Sequence, residues 1–346
     1  MGDMMTTRNR RSILAITMGD PAGIGPEIVL KALQDPDVYE RCRPVVIGDR
    51  RILERACAWM EIHLKFEVVT DPADGNYDPG VLTLIDLHNA RPEDCPVGEV
   101  SAAGGKAALA YVKRACDLAL AGEVDAIVTA PLNKESINLA GFSYPGHTEL
   151  LKERTQADQV TMLLVGPNVR VVHVSTHVSL AQAVRLVRKE RIEEVIILAH
   201  DACRALGIVQ PRVAVAGLNP HAGESGLFGD QERHEIIPAV EAARAKGMDV
   251  SDPQPPDTVF LRAAKGYYDI VVAMYHDQGH IPMKLLAFDD GVNVSIGLPI
   301  IRTSVDHGTA FDIAGTGQAK ENSLLAAMDV AIQMVNARKV PNDKQP

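Results

Sequence analysis

Short runs of β-branched and aliphatic residues alternate along the chain with longer stretches in which apolar residues recur every three to four positions. That alternation is the pattern of βαβ units around a mostly parallel sheet. The apolar runs predict strands over 12–18, 44–47, 81–87, 125–130, 160–165, 169–175, 212–218, 269–275 and 292–296. Helical periodicity predicts helices over 50–61, 105–121, 180–206 in two pieces, 232–246 and 323–338. A further short helix opens at Pro26, where a first turn tolerates proline. The turn-rich stretch 71–80 and the polar connection 91–101 suit surface loops or a domain boundary.

Composition narrows the class. The 346 residues are 46% hydrophobic and 23% charged, ordinary globular values for a chain of two or three domains. Aromatic residues are only 4%, so the core must be built from Ala, Val, Ile, Leu and Met. A formal charge of −10 with no long basic run argues against nucleic acid or acidic membranes as partners, so an anionic ligand needs a local site. Five scattered cysteines without a Cys-x-x-Cys pair give neither a disulfide framework nor a zinc ribbon, and a cytoplasmic location is expected. The apolar stretch Ile13 to Met18 is too short for a signal peptide or a membrane span. Met1-Gly2 followed by Thr6 meets the bare pattern for myristoylation, which has little specificity.

In parallel α/β sheets, ligands gather at the carboxyl ends of strands. Three histidines follow predicted strands: His177, His221 and His276. Three neutral imidazoles on one rim suit a divalent cation with open positions, although each alone reads equally as a hydrogen-bonded loop residue. For anions, Pro145-Gly146-His147-Thr148-Glu149 leads into a helix whose first N–H groups can hold a phosphate, with Thr148 at the cap position. Thr148 as an ordinary N-cap fits the same residues. Lys284 and Arg302 bracket the 292–296 strand, with Asn293 at its start, and can clamp a dianion or simply be solvated. Neither nucleotide motif is present: Ile28 stands where the third glycine of G-x-G-x-x-G belongs, and Gly104-Gly105-Lys106 lacks the rest of a P-loop.

Five segments in order, ITMGDPAGIGPEI, PGHTELL, GLNPHAGE, MYHDQG and GLPIIRTSVDHGTAFDIAGTG, resemble the 4-hydroxythreonine-4-phosphate dehydrogenase (PdxA-type) family. The run from His307 to Gly317 is also similar to the adenosine-binding loop of isopropylmalate dehydrogenases, which lack the Rossmann fingerprint. The resemblance implies two α/β/α domains with a cleft between them, as in isocitrate and isopropylmalate dehydrogenases. The expected division is 12–138 plus 310–340 for the first domain and 139–309 for the second, which would carry the metal ligands and dimer contacts. A homodimer with shared active sites is implied as well.

Carried over by position, the resemblance makes His177, His221 and His276 metal ligands, for Zn, Mg, Mn or Co. It makes His147, Thr148, Lys284, Asn293 and Arg302 substrate-binding residues, and it places His307 and Asp312 at NAD. Asp312, with no Lys or Arg before it in the loop, favours NAD over NADP. GESGLFGDQE, PPDTVFLRA and MYHDQGHIPMKLLAFDDGVN are more similar to the branch acting on 4-phospho-D-threonate and 4-phospho-D-erythronate. The implied reaction is oxidation at C3 with decarboxylation to dihydroxyacetone phosphate. The alternative within the family is 4-phosphohydroxy-L-threonine dehydrogenase, which gives 3-amino-2-oxopropyl phosphate; outside it stands a phosphate acyltransferase of similar fold. Asp277, Lys284 or a hydroxide at the cation remain open as the general base, and His280 is a candidate for telling hydroxyl from amine at C2.

Overall fold

A computed structural model describes residues 11–287 and 290–339. The Met1-Gly2 pattern lies outside the described residues. The chain divides into two compact units, 1–159 with 298–335, and 160–297 with 336–346. The expected borders at 138/139 and 309/310 are therefore displaced. The segment that carries His147 stays with the first unit because Arg154 makes paired hydrogen bonds to Asp117 on a first-unit helix. Likewise the strand that starts at Arg302 pairs with a first-unit strand.

The first unit contains β1 (Ser12–Thr17), α1 (Gly25–Ala32), α2 (Pro36–Arg41), β2 (Cys42–Gly48), α3 (Arg50–Met60), β3 (Lys65–Val68), β4 (Val81–Asp86), α4 (Ala102–Leu120), β5 (Ala126–Thr129), α5 (Lys134–Leu139) and α6 (His147–Thr155). The second contains β6 (Thr161–Val165), β7 (Arg170–His173), α7 (Leu180–Leu186), α8 (Lys189–Ala205), β8 (Arg212–Ala216), α9 (Ile237–Ala245), β9 (Asp249–Gln254), α10 (Val259–Ala264), β10 (Ile270–Ala273), α11 (His276–Leu286) and β11 (Val292–Ile296). The chain then returns to the first unit through β12 (Arg302–Val305) and most of α12 (Asn322–Lys339).

In the first unit the strands lie in the order β3-β4-β2-β1-β5-β12, every pair parallel. β1 sits inside this sheet and is buried along its whole length, which is why it reads as a continuous aliphatic run without alternation. In the second unit the order is β11-β6-β7-β10-β8-β9. β6 is antiparallel to both neighbours, and β7, β10, β8 and β9 are parallel. Val171, Ala214 and Val271 of the parallel strands pack with Leu164, Val259 and Met283 in an aliphatic core, as the low aromatic content requires.

Local chemistry sets the ends of several elements. Asp49 caps α3 by accepting the Arg51 N–H, and Ser101 caps α4 by accepting the Gly104 N–H at 3.0 Å. All five cysteines are free thiols. Among the described residues, no helix is long and apolar enough to cross a membrane.

Candidate functional site

The parallel strands β7, β10 and β8 carry His177, His276 and His221 just past their carboxyl ends. The loop expected around His276 is instead the first turn of α11, which continues through Pro282. On that helix His276 and His280 are four residues apart, and their rings stack with centroids 3.7 Å apart. His280 Nδ1 lies 3.2 Å from both His173 Nε2 and the His276 carbonyl oxygen. His173, the last residue of β7, is fully buried; burial first, and then the neighbouring imidazoles, push its pKa down to about 3. Gly279 is required here because any Cβ would run into the His173 ring.

The His177 and His276 rings are 5.7 Å apart, and both line a cavity of about 360 Å³ with Thr176, Ser179, Tyr275 and Asp277. Asp277 Oδ1 is 2.7 Å from His276 Nδ1, which fixes the ring and leaves Nε2 as the atom able to ligate a cation. As a donor set, neutral imidazoles backed by a carboxylate fit a divalent cation in kind. Among the described residues, the trio of potential donors within 4.8 Å of one another is Asp49, Asp86 and His88, far from these histidines in sequence. Both Asp49 oxygens there are engaged, Oδ1 by Arg51 and Oδ2 by Arg51 and the Ala90 N–H, so that trio reads as a helix cap and an ion pair.

His221 sits in an unusual turn. His221, Ala222, Gly223, Glu224 and Ser225 all have positive φ, between 43° and 82°, a left-handed turn with only one glycine. Each non-glycine residue in that region costs roughly 1–2 kcal/mol, so the turn needs support from outside itself. Buried Glu232 supplies it, accepting the N–H groups of Leu218 and Asn219 at 2.8 Å and the Asn219 side-chain amide at 2.9 Å. Sequence reasoning did not single out Glu232; a carboxylate within the predicted 232–246 helix reads as surface charge.

The anion-ready corner belongs to the first unit. Gly146, not Thr148, is the N-cap of α6 and offers no side chain to the first N–H groups, so Thr148 is the second helical residue. His147 Nε2 is buried without a hydrogen-bond partner, and burial and then the Arg302 charge hold His147 well below the usual histidine pKa. Arg302, 2% exposed, points two guanidinium nitrogens at Thr129 Oγ1, 3.1 and 2.7 Å away. Burial lowers the Arg302 pKa to about 9, so it remains a cation at neutral pH. Lys284 lies on α11 and Asn293 on β11, both in the second unit. Asn293 donates to Met162 Sδ at 2.9 Å, and its Oδ1 is buried without a partner.

The exposed residues His307 and Asp312 precede a stretch of loop fastened to α1. Both oxygens of buried Glu27 accept from this loop, Oε1 from the Gly315 N–H at 2.5 Å and Oε2 from the Gly317 N–H at 3.1 Å. One turn later Lys31 Nζ donates to the Gly317 and Ala319 carbonyls at 2.6 Å. Glu27 lies inside the GIGPEI segment, so the glycine-rich motif that fails as a phosphate loop here holds another loop in place.

With this geometry in hand, comparison with known proteins is informative. A family model described as pyridoxal phosphate biosynthetic protein PdxA matches residues 40–331. D-threonate 4-phosphate dehydrogenase of Salmonella typhimurium is 52% identical over 93% of this chain and 98% of its own length. 4-Hydroxythreonine-4-phosphate dehydrogenase of Desulfosudis oleivorans is 50% identical over 94% of this chain and 96% of its own. A crystal structure of 4-hydroxythreonine-4-phosphate dehydrogenase from Klebsiella pneumoniae superposes with a TM-score of 0.87 at 48% identity, covering 94% of this chain and 98% of that one.

Proposed function

This chain belongs to the PdxA family of dehydrogenases, and from that premise we propose that it oxidises C3 of 4-phospho-D-threonate or 4-phospho-D-erythronate with NAD and releases CO2 and dihydroxyacetone phosphate. The observation that carries the phosphate end of this reading is the buried Arg302 beside the uncapped start of α6, with the His147 Nε2 unpartnered. A fixed cation and the N–H groups of a helix start are what a phosphate dianion needs. The threonate branch is favoured by the relatives named D-threonate 4-phosphate dehydrogenase, at up to 52% identity.

The residues divide the work. His147, Thr148 and Arg302 hold the phosphate, and Lys284 and Asn293 bind the acid portion. His177, His221 and His276 would hold a divalent cation, Zn, Mg, Mn or Co, and Asp312 with His307 would hold the adenosine end of NAD. When bound, the cation lowers the pKa of the C3 hydroxyl and favours loss of CO2 from the β-keto acid, and NAD accepts the hydride. Asp277 is already committed to His276 Nδ1, which makes it the orienter of that ring. Lys284 or a hydroxide at the cation is left to take the hydroxyl proton.

A homodimer with shared sites follows from the same reading. Among the described residues the three histidines do not come together as one donor trio within the chain, and the second unit exposes Leu180 and Leu186 on α7 and Ile281, Leu285 and Leu286 on α11. So many large apolar side chains on two neighbouring-strand helices suit a partner surface. The branch is tested by NAD reduction with 4-phospho-D-threonate, 4-phospho-D-erythronate and 4-phosphohydroxy-L-threonine. The reading expects the highest kcat/KM with a hydroxy acid; a clear preference for hydroxythreonine phosphate would move the enzyme to the alternative reaction.

A further inference from the structure

We propose that Glu232 is a positioning residue for His221, holding the left-handed turn 221–225 so that the imidazole is presented at one fixed angle to a divalent cation. The proposal deepens the metal reading above and rests on it. Its ground is the conjunction of two features. One is a run of five consecutive positive φ values with four side chains bearing a Cβ. The other is a carboxylate, 3% exposed, whose two oxygens accept three N–H groups from the two residues just before the turn.

The geometry explains why the carboxylate is needed. β8 ends at Ala216, and the chain must reverse its handedness within five residues to reach His221. Gly217 lets the turn fold back closely, since a Cβ there would lie 2.7 Å from Ala222 Cα. The N–H groups of Leu218 and Asn219 then both go to Glu232 Oε1, at 2.8 Å. Oε2 takes the Asn219 side chain at 2.9 Å, and Gln231 Oε1 takes the same amide at 2.8 Å. The entry to the turn is thereby clamped on both sides. A turn that only had to connect β8 to the next helix would relax into ordinary right-handed backbone. Strain kept by a dedicated buried anion marks a residue whose direction matters.

The test is a titration of the metal-free full-length protein with Co²⁺, read by its visible absorption, which reports affinity and coordination together. Wild type is expected to bind, and His221→Ala to bind at least tenfold more weakly. Glu232→Gln places an amide against donors, and is expected to weaken Co²⁺ about tenfold or more and to alter the band. Adding Ala222→Gly to Glu232→Gln is expected to restore much of the loss, because glycine adopts this backbone without strain. Wild-type affinity and spectrum in Glu232→Gln, or no recovery in the double variant, overturns the proposal while leaving the metal reading standing. No Co²⁺ binding by wild type, or undiminished binding by His221→Ala, overturns the metal role of His221 and the proposal with it. Should Glu232→Gln fail to fold, Ala222→Gly alone decides: it is expected to keep Co²⁺ binding and to raise the unfolding temperature, and a lowered one overturns the claim that the turn is held under strain.

Discussion

Arg302 at the start of β12 reaches across to the end of β5, where two of its guanidinium nitrogens meet a single oxygen, Thr129 Oγ1, at 3.1 and 2.7 Å. Besides that hydroxyl, the Glu149 carboxylate acts on the buried guanidinium, and a phosphate dianion would add a further counter-charge. Arg302→Gln is therefore expected to raise the KM for the phosphorylated acid about 30-fold or more, within the roughly 2–5 kcal/mol range for truncating a buried charge partner. Steady-state kinetics at saturating NAD check it, and Arg302→Lys is expected to recover only part because the planar fork is lost.

The depressed pKa of His147 has a pH consequence with a definite sign. Its folded-state value lies below the ordinary 6.5, through burial and then the Arg302 charge, so the unfolded chain takes the proton first as pH falls. Stability is thus lost progressively below about pH 6.5, toward the lowered value. Thermal unfolding of wild type and His147→Gln at pH 7.5 and 5.5 is expected to show a smaller pH-dependent drop in the variant.

Glu27 ties the loop 315–317 to α1 with two backbone hydrogen bonds. Glu27→Gln is expected to weaken NAD binding several-fold and to speed amide exchange at Gly315 and Gly317, as loss of about 1.5 kcal/mol of charge-assisted bonding implies. Calorimetry with NAD and hydrogen exchange measure the two effects separately.

Gly105 lies in α4 where that helix crosses α5, and a Cβ there would collide with the Ser136 carbonyl. Helix propensity alone would make Gly105→Ala stabilising by about 1 kcal/mol, but rigid backbone contact costs roughly 1–3 kcal/mol. The clash wins, so the variant is expected to unfold several degrees lower by calorimetry.

Much of the fold was legible because buried parallel strands such as β1 and β2 are nearly unbroken aliphatic runs and helices such as α4 keep their period. β12 was missed because its buried residues, Arg302, Thr303 and Ser304, are polar and read as loop. They are tolerated in the sheet since each bonds inward, Thr303 Oγ1 for example to the Ala327 carbonyl at 2.8 Å. β3 and β9 are edge strands; β3 alternates over only four residues, too few to stand out, and β9 has no alternation. α11 was hidden by Gly279 and Pro282, residues that ordinarily end helices. Strand-end position points to His177, His221 and His276, and all three do lie just past the ends of β7, β8 and β10. The left-handed turn was not readable, because what sustains it is a carboxylate at position 232, beyond any local pattern.

The proposed reaction is an oxidation coupled to decarboxylation of a four-carbon phosphorylated hydroxy acid. Its most direct test is to supply 4-phospho-D-threonate, NAD and a divalent cation, and to quantify NADH, CO2 and dihydroxyacetone phosphate together. Equal amounts of all three are the result expected. NADH formed without CO2, or no NADH with any of the phosphorylated four-carbon acids, would contradict the account.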